Sequence, residues 1–186
     1  CQIFNSDSER HDILVDYIIS GLKNNEDVAC FSENETSETL QKKIEEAGFS
    51  YTESIHSQSF SLSKTADVYF KNNEFIPEKM LGLLKDFYDS SQKKNKFGAR
   101  VIGEMSPKID HIKGGTKLLD YECQITLFQQ KTPVTAVCQY DARNFSGATI
   151  LDILKVHPHM IVNGSVISNP FYMTPEEYFA EKQKTE

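Results

Sequence analysis

Phe97-Gly98-Ala99-Arg100-Val101-Ile102-Gly103-Glu104-Met105-Ser106-Pro107 reads as the central strand of a wound α/β domain, and it carries charge where charge is costly. With a strand over Ala99–Met105, Ala99, Val101, Gly103 and Met105 face one way and Arg100, Ile102 and Glu104 the other. Glu104 then sits at the carboxyl end, where open parallel sheets form ligand crevices. Pro133–Asp141 has the same character and brings Gln139, Tyr140 and Asp141 to the matching end of a second strand. These two strand ends are the expected centre of the protein's function.

The flanking sequence supplies the rest of the alternation. Cys1–Asn5 reads as a first strand, and Ser6-Asp7-Ser8-Glu9 is a capping box that starts a helix striped by Ile13, Leu14, Tyr17, Ile18, Gly21 and Leu22. Gly21 is small enough for that helix to approach a sheet closely. Asp27–Ser32 is a second strand, followed by a second box, Ser32-Glu33-Asn34-Glu35, and a helix that Gly48 ends. In Tyr51–Phe70, Phe60 and Leu62 alternate with serines as a strand does, while Ala66–Phe70 reads as strand or loop. Pro77 opens an amphipathic helix through Tyr88, and Gly114-Gly115 opens another, on which Leu118, Tyr121, Glu122, Ile125 and Phe128 share a face. Glu122 is the odd member of that stripe: it needs a partner, for which Arg100 and Arg143 are the available arginines, or a place at the wet margin. Ser146–Val156 is a helix, Met160–Ile167 a hairpin turned by Asn163-Gly164, and Thr174-Pro175-Glu176-Glu177 starts a last short helix. The expected fold is a three-layer αβα domain with a mostly parallel sheet ending in an antiparallel hairpin.

Composition narrows the function. A chain of 186 residues fits one domain, and a net charge of -7 opposes a nucleic-acid surface, which needs a basic stripe. The one basic run, Lys93-Lys94-Asn95-Lys96, solvates the end of a helix. No apolar run approaches a membrane span and no signal peptide is visible, so the chain reads as soluble, and a cytoplasmic location is the expectation. Cys1, Cys30, Cys123 and Cys138 lack C-x-x-C spacing and fall in apolar segments, the pattern of reduced buried thiols. Because the chain opens at Cys1 inside a strand pattern, residues 1–186 are expected to be one domain of a longer regulator, with 173–186 leading toward a further module.

Catalytic readings find little support. Val101-Ile102-Gly103-Glu104 resembles the acid-tipped strand of P-loop NTPases, but Asn5-Ser6-Asp7-Ser8-Glu9-Arg10 has no glycine, no Lys-Ser/Thr pair and added negative charge. Gly114-Gly115-Thr116-Lys117 has the wrong spacing for a phosphate loop. Cys138 and Cys123 have no histidine in a diagnostic context, His157-Pro158-His159 reads as a polar turn rather than a metal site, and no G-x-S-x-G occurs. What is left is a pocket without a catalytic engine: Met105, Tyr140 and Phe145 as walls, with Glu104, Gln139 and Asp141 as orienting groups.

Arg100-x-x-Gly103-Glu104-Met105, Tyr121-Glu122, Cys138-Gln139-Tyr140-Asp141, His157-Pro158 and Asn169-Pro170-Phe171-Tyr172 occur here in an order that resembles the MEDS family, the methanogen/methylotroph sensory domain. Glu9-Arg10 and Gly21-Leu22 extend the likeness over nearly the whole chain. The resemblance implies a RecA/KaiC-like fold without a phosphate loop. It also implies a non-enzymatic input module of signal transduction that senses a small organic compound such as a halogenated or methylated hydrocarbon, without a cofactor. Output modules of such regulators are histidine kinases or DNA-binding domains. The expected ligand-binding residues are Arg100, Glu104, Met105, Glu122, Gln139, Tyr140 and Asp141, with no catalytic residue and no metal ligand. The competing expectation is a ligand-free interaction or dimerisation scaffold of the same fold, and a homodimer is the assembly to look for.

Overall fold

Ala99–Glu104 forms an interior strand, and the alternation read from it organises the molecule. The computed structural model describes residues 1–185. Its strands are β1 (Gln2–Phe4), β2 (Asp27–Phe31), β3 (Phe60–Ser63), β4 (Ala99–Glu104), β5 (Val134–Asp141), β6 (His159–Val162) and β7 (Ser165–Ser168). They form one sheet in the order β3-β2-β4-β5-β1-β6-β7. Every neighbouring pair is parallel except β6–β7. In that hairpin Asn163 (φ 49°) and Gly164 (φ 76°) supply the left-handed backbone that a two-residue turn of this kind requires.

The helices are α1 (Asp7–Lys23), α2 (Ser37–Glu46), α3 (Tyr51–His56), α4 (Thr65–Tyr69), α5 (Pro77–Lys93), α6 (Leu118–Gln129), α7 (Gly147–Lys155) and α8 (Pro175–Thr185). One face of the sheet packs Val28, Cys30, Ile102 and Val137 against Leu14, Val15 and Ile18 of α1 and Leu40 and Ile44 of α2. The other packs Ala29, Ala99, Val101 and Tyr140 against Met80 and Leu84 of α5, Tyr121 and Ile125 of α6 and Ile153 of α7. This is the expected three-layer arrangement. Among the described residues no helix is long and apolar enough to cross a membrane.

Two glycines set distances between layers. A Cβ on Gly21 would lie 2.5 Å from Val28 Cγ2 and 2.7 Å from Arg100 Cδ, so α1 can lie this close to the sheet only because the position has no side chain. On the opposite face a Cβ on Gly103 would come within 3.0 Å of Tyr69 Oη, which lies over the strand there.

Three local expectations change. The second helix starts at Ser37, capped by Thr36, rather than at the Ser32 box. Ser32 Oγ accepts from the amides of Asn34 and Glu35 in a tight turn, donates to Glu104, and is no longer available as a cap. The segment containing Ala66–Phe70 is helical as α4, started by Glu33 accepting from the Ala66 amide at 2.6 Å. A short α3, capped by Ser50, fills the region before β3.

Candidate functional site

At the carboxyl ends of the strands, on the α1 side, ionic and amide groups interlock. Glu104 accepts from Ser32 Oγ at 2.9 Å and Asn34 Nδ2 at 2.6 Å. Buried Arg10, from the first turns of α1, donates to Glu35 at 2.7 Å and approaches Glu104 at 3.9 Å. Gln139, level with Glu104 in the sheet, donates to Gln2 Oε1 and to the Arg10 carbonyl. Asp141 accepts from the backbone amide, Nε and Nη2 of Arg143 and from Asn144 Nδ2, and the Arg143 guanidinium bridges on to Asp7. Arg143 holds the Asp141 carboxyl below its usual range, despite the opposing effect of burial. The crevice between these groups, about 310 Å³, is lined by Asp7, Glu33, Glu104 and Asp141 with Arg143 as the cation. An acidic lining beside the first turn of α1 repels the anions that a helix N-terminus otherwise attracts.

A second centre lies on the opposite face. Glu122, on the inner side of α6, is 2 % exposed. Its Oε1 accepts from Tyr140 Oη at 2.6 Å, and its Oε2 accepts from Cys138 Sγ at 3.4 Å and lies 3.3 Å from His157 Nε2. Burial alone would raise the Glu122 pKa, but the attraction of His157 and the bonds from His157, Tyr140 and Cys138 outweigh it and hold the carboxyl below its usual range. Burial and then the Glu122 charge push the Tyr140 phenol and the Cys138 thiol well above theirs. Cys138 is therefore a protonated donor here rather than an activated nucleophile. All four cysteines are free thiols.

This centre opens onto a cavity of about 260 Å³ between α6, the first half of β5 and the β6–β7 hairpin. Ile125, Ala136, Met160, Ile161 and Val166 give it apolar walls, and Glu122, Cys138 and His157 form its polar end. It exists because β1 is short: β1 pairs with β5 only over residues 139–141, so the groove beside the first half of β5 is unfilled.

The seven sequence-derived site residues therefore do not share one crevice. Glu104, Gln139 and Asp141 gather on the α1 side, whereas Glu122 and Tyr140 pair on the α6 side. Gln139 is level with Glu104, so the next residue, Tyr140, must point through the sheet to the other face. The expected pocket combining Glu104 with Tyr140 is overturned by that register. Met105, though largely buried, lines the crevice of Glu104 and Asp141 as expected, whereas Phe145 is buried edge-on to Tyr140 at 5.6 Å and forms no wall of that crevice. Arg100 sits near the amino end of β4, stacked on Tyr17 at 4.8 Å and ion-paired with Glu26, away from both centres. Glu122 is answered by neither Arg100 nor Arg143 but by His157, which sequence reasoning had assigned to a polar turn. The usable signal was the pairing of one acid in an apolar stripe with a histidine directly after a buried helix end.

Among solved structures the chain is similar to the flagellar accessory protein FlaH from Methanocaldococcus jannaschii, with a TM-score of 0.62 and 12% identity over 89% of this chain and 73% of that one. It is also similar to a KaiC-like protein from Pyrococcus horikoshii OT3, with a TM-score of 0.58 and 10% identity over 89% of this chain and 73% of that one. A third likeness is to an uncharacterized Pyrococcus horikoshii protein in complex with an unknown peptide, with a TM-score of 0.58 and 13% identity over 94% and 83% of the two chains. At these identities the likeness is one of fold, a RecA/KaiC-like sheet. No curated protein sequence matches the chain. The model of the methanogen/methylotroph, DcmR sensory domain matches residues 1–158, which contain both polar centres and stop just before the β6–β7 hairpin, and the chain belongs to that MEDS family.

Proposed function

We propose that this sensory domain binds a small organic compound, of the halogenated or methylated hydrocarbon class, in the cavity beside Glu122, and that it does so without catalysing a reaction. The observation that carries the reading is the make-up of that cavity: aliphatic walls closed at one end by a buried carboxylate, thiol and imidazole. At about 260 Å³ it falls just under the usual ligand-pocket range of about 300–1,000 Å³, which favours a compound of few heavy atoms. Occupancy would bias the seating of α6 against the hairpin. From α6, Asp120 accepts from Tyr178 and Lys182 of α8, a mechanical route toward an output module such as a histidine kinase or a DNA-binding domain. A ligand moves such an equilibrium only through unequal affinity for the two states.

Thermal-shift screening against chlorinated and methylated one- and two-carbon compounds tests the reading. A compound at a hundred times its Kd stabilises by about 2.7 kcal/mol, and a chain of this size then melts several degrees higher. A flat screen, with no compound raising the melting temperature, overturns it.

One observation favours a second reading, a dimerisation scaffold. β7 forms an open sheet edge, with Val166 69% and Ile167 43% exposed. That reading predicts a concentration-dependent mass in sedimentation and an unmoved melting temperature in the screen.

A further inference from the structure

We propose that Glu122, Cys138 and His157 bind one divalent transition-metal ion of the zinc type, with a fourth coordination position facing the cavity. The site goes beyond the small-molecule reading and does not depend on it. One ligand atom from each of the three residues lies within 4.8 Å of the other two, a grouping a small rotamer adjustment brings to metal-binding distances.

Hydrogen bonds outside the cluster orient Glu122 and His157, and inside it the hydrogen bond from the Cys138 thiol to Glu122 Oε2 at 3.4 Å is one that a metal replaces. His157 Nδ1 lies 2.7 Å from the Ile153 carbonyl, which can only accept, so Nδ1 carries the proton. In the neutral ring Nε2 is then a lone pair. That atom is buried, has no hydrogen-bond partner, and points into the cluster from a residue only 8% exposed. It faces Glu122 Oε2, another lone-pair atom, at 3.3 Å. In the metal-free protein a second ring proton on Nε2 fills that gap and pairs His157 with Glu122, and a dication would take that proton's place. The outer partners are those of a metal shell: the imidazole is backed by a backbone carbonyl and the carboxylate by Tyr140 Oη at 2.6 Å.

Charge and ligand type name the class of ion. A dication, the Glu122 carboxylate and a Cys138 thiolate sum to zero, a neutral cluster suited to a buried place. Thiolate and imidazole favour zinc and its neighbours over magnesium or calcium, which prefer oxygen. On binding, the thiol S–H bond breaks, its proton and the one on Nε2 leave to the buffer, and sulfur donates the freed pair to the metal with no change of oxidation state, so affinity rises with pH. Three protein ligands with one open position is the arrangement of a site that admits a further small ligand, here from the apolar cavity.

The test is titration of the untagged, chelator-treated chain with Co²⁺, with no organic compound present. One equivalent should bind with a sulfur-to-cobalt charge-transfer band and intense visible bands of low-symmetry four-coordination, and Zn²⁺ should abolish both. Cys138→Ser should remove the charge-transfer band, and His157→Gln should weaken binding at least tenfold. Cys123→Ser, a buried thiol outside the cluster, should change neither. X-ray absorption of the zinc-loaded wild-type chain should show one sulfur near 2.3 Å, a readout that needs no variant. Absence of stoichiometric binding, an all-N/O shell, or a band that survives Cys138→Ser overturns the site. Because no organic compound enters these measurements, their failure leaves the ligand reading standing, and a flat compound screen leaves the metal site standing.

Discussion

Glu104 and Tyr140 lie one register step apart in adjacent strands yet face opposite sides of the sheet, Glu104 toward Arg10 of α1 and Tyr140 onto Glu122 of α6. The two share no partner, so their energetic effects should add. Tyr140→Phe strips one donor from a buried carboxylate and should cost about 1.5–3 kcal/mol. Glu104→Ala, at a wetter site, loses the bonds from Ser32 and Asn34 and should cost about 1–2 kcal/mol. In urea unfolding the double variant should match the sum to within about 0.5 kcal/mol. A coupling energy above 1 kcal/mol would mean that the two residues act through a common site.

Gly21→Ala tests the close approach of α1. Helix propensity alone predicts a gain of about 1 kcal/mol. The added methyl, however, meets Val28 and Arg100 at distances no real Cβ tolerates, and Val28 belongs to a wholly buried strand segment. Overpacking should win, with a net loss of about 1–3 kcal/mol of stability, seen as a lower urea midpoint. A stabilised variant would show that α1 stands farther from the sheet.

The fold was legible because its signals are periodic and local: alternation in Val101–Glu104, the Ser6 cap, the Asn163-Gly164 turn and the approach at Gly21 each depend on near neighbours. The site was half legible. Glu122 stood out as an acid in an apolar stripe, but its partner His157 is 35 positions away in sequence and reaches it only through the fold. The merging of Glu104 with Tyr140 failed for a different reason. Which strand positions are level across two strands is set by register, and a slip of one residue reverses the face. The Ser32 box closes only a turn: Ser32 Oγ accepts from the amides of Asn34 and Glu35 while donating to distant Glu104, and the helix itself begins one turn later under Thr36.

The Asp141 carboxylate gives a pH signature. Its folded pKa is depressed by Arg143, so its contribution is present above the unfolded value of about 3.9 and is lost as pH falls through the folded pKa. Asp141→Asn should therefore be less stable than wild type by about 1–3 kcal/mol at pH 6. The gap should close progressively below pH 4. Paired denaturation series at pH 6, 4 and 3 check this, and a gap that stays constant with pH would remove Arg143 as the cause.

The contact between α6 and α8 is where a change in the cavity would leave the sheet. Asp120 begins the turn of α6 that carries Glu122, and on its outer side it holds Lys182 Nζ at 2.7 and 2.8 Å and accepts from Tyr178 Oη at 3.1 Å. The Lys182 pair is part-exposed and is worth at most about 1 kcal/mol. Asp120→Asn should thus leave global stability within about 1 kcal/mol of wild type, a melting shift of no more than about 4 °C. Its local effect should be larger, because α8 is held to the body of the domain largely through α6. Amide exchange over residues 176–184 should quicken severalfold while the amides of β4 and β5 keep their wild-type protection. Unchanged exchange in α8 would show that Asp120 is not the tether, and equal loss of protection in β4 would show that the substitution loosens the core rather than the helix.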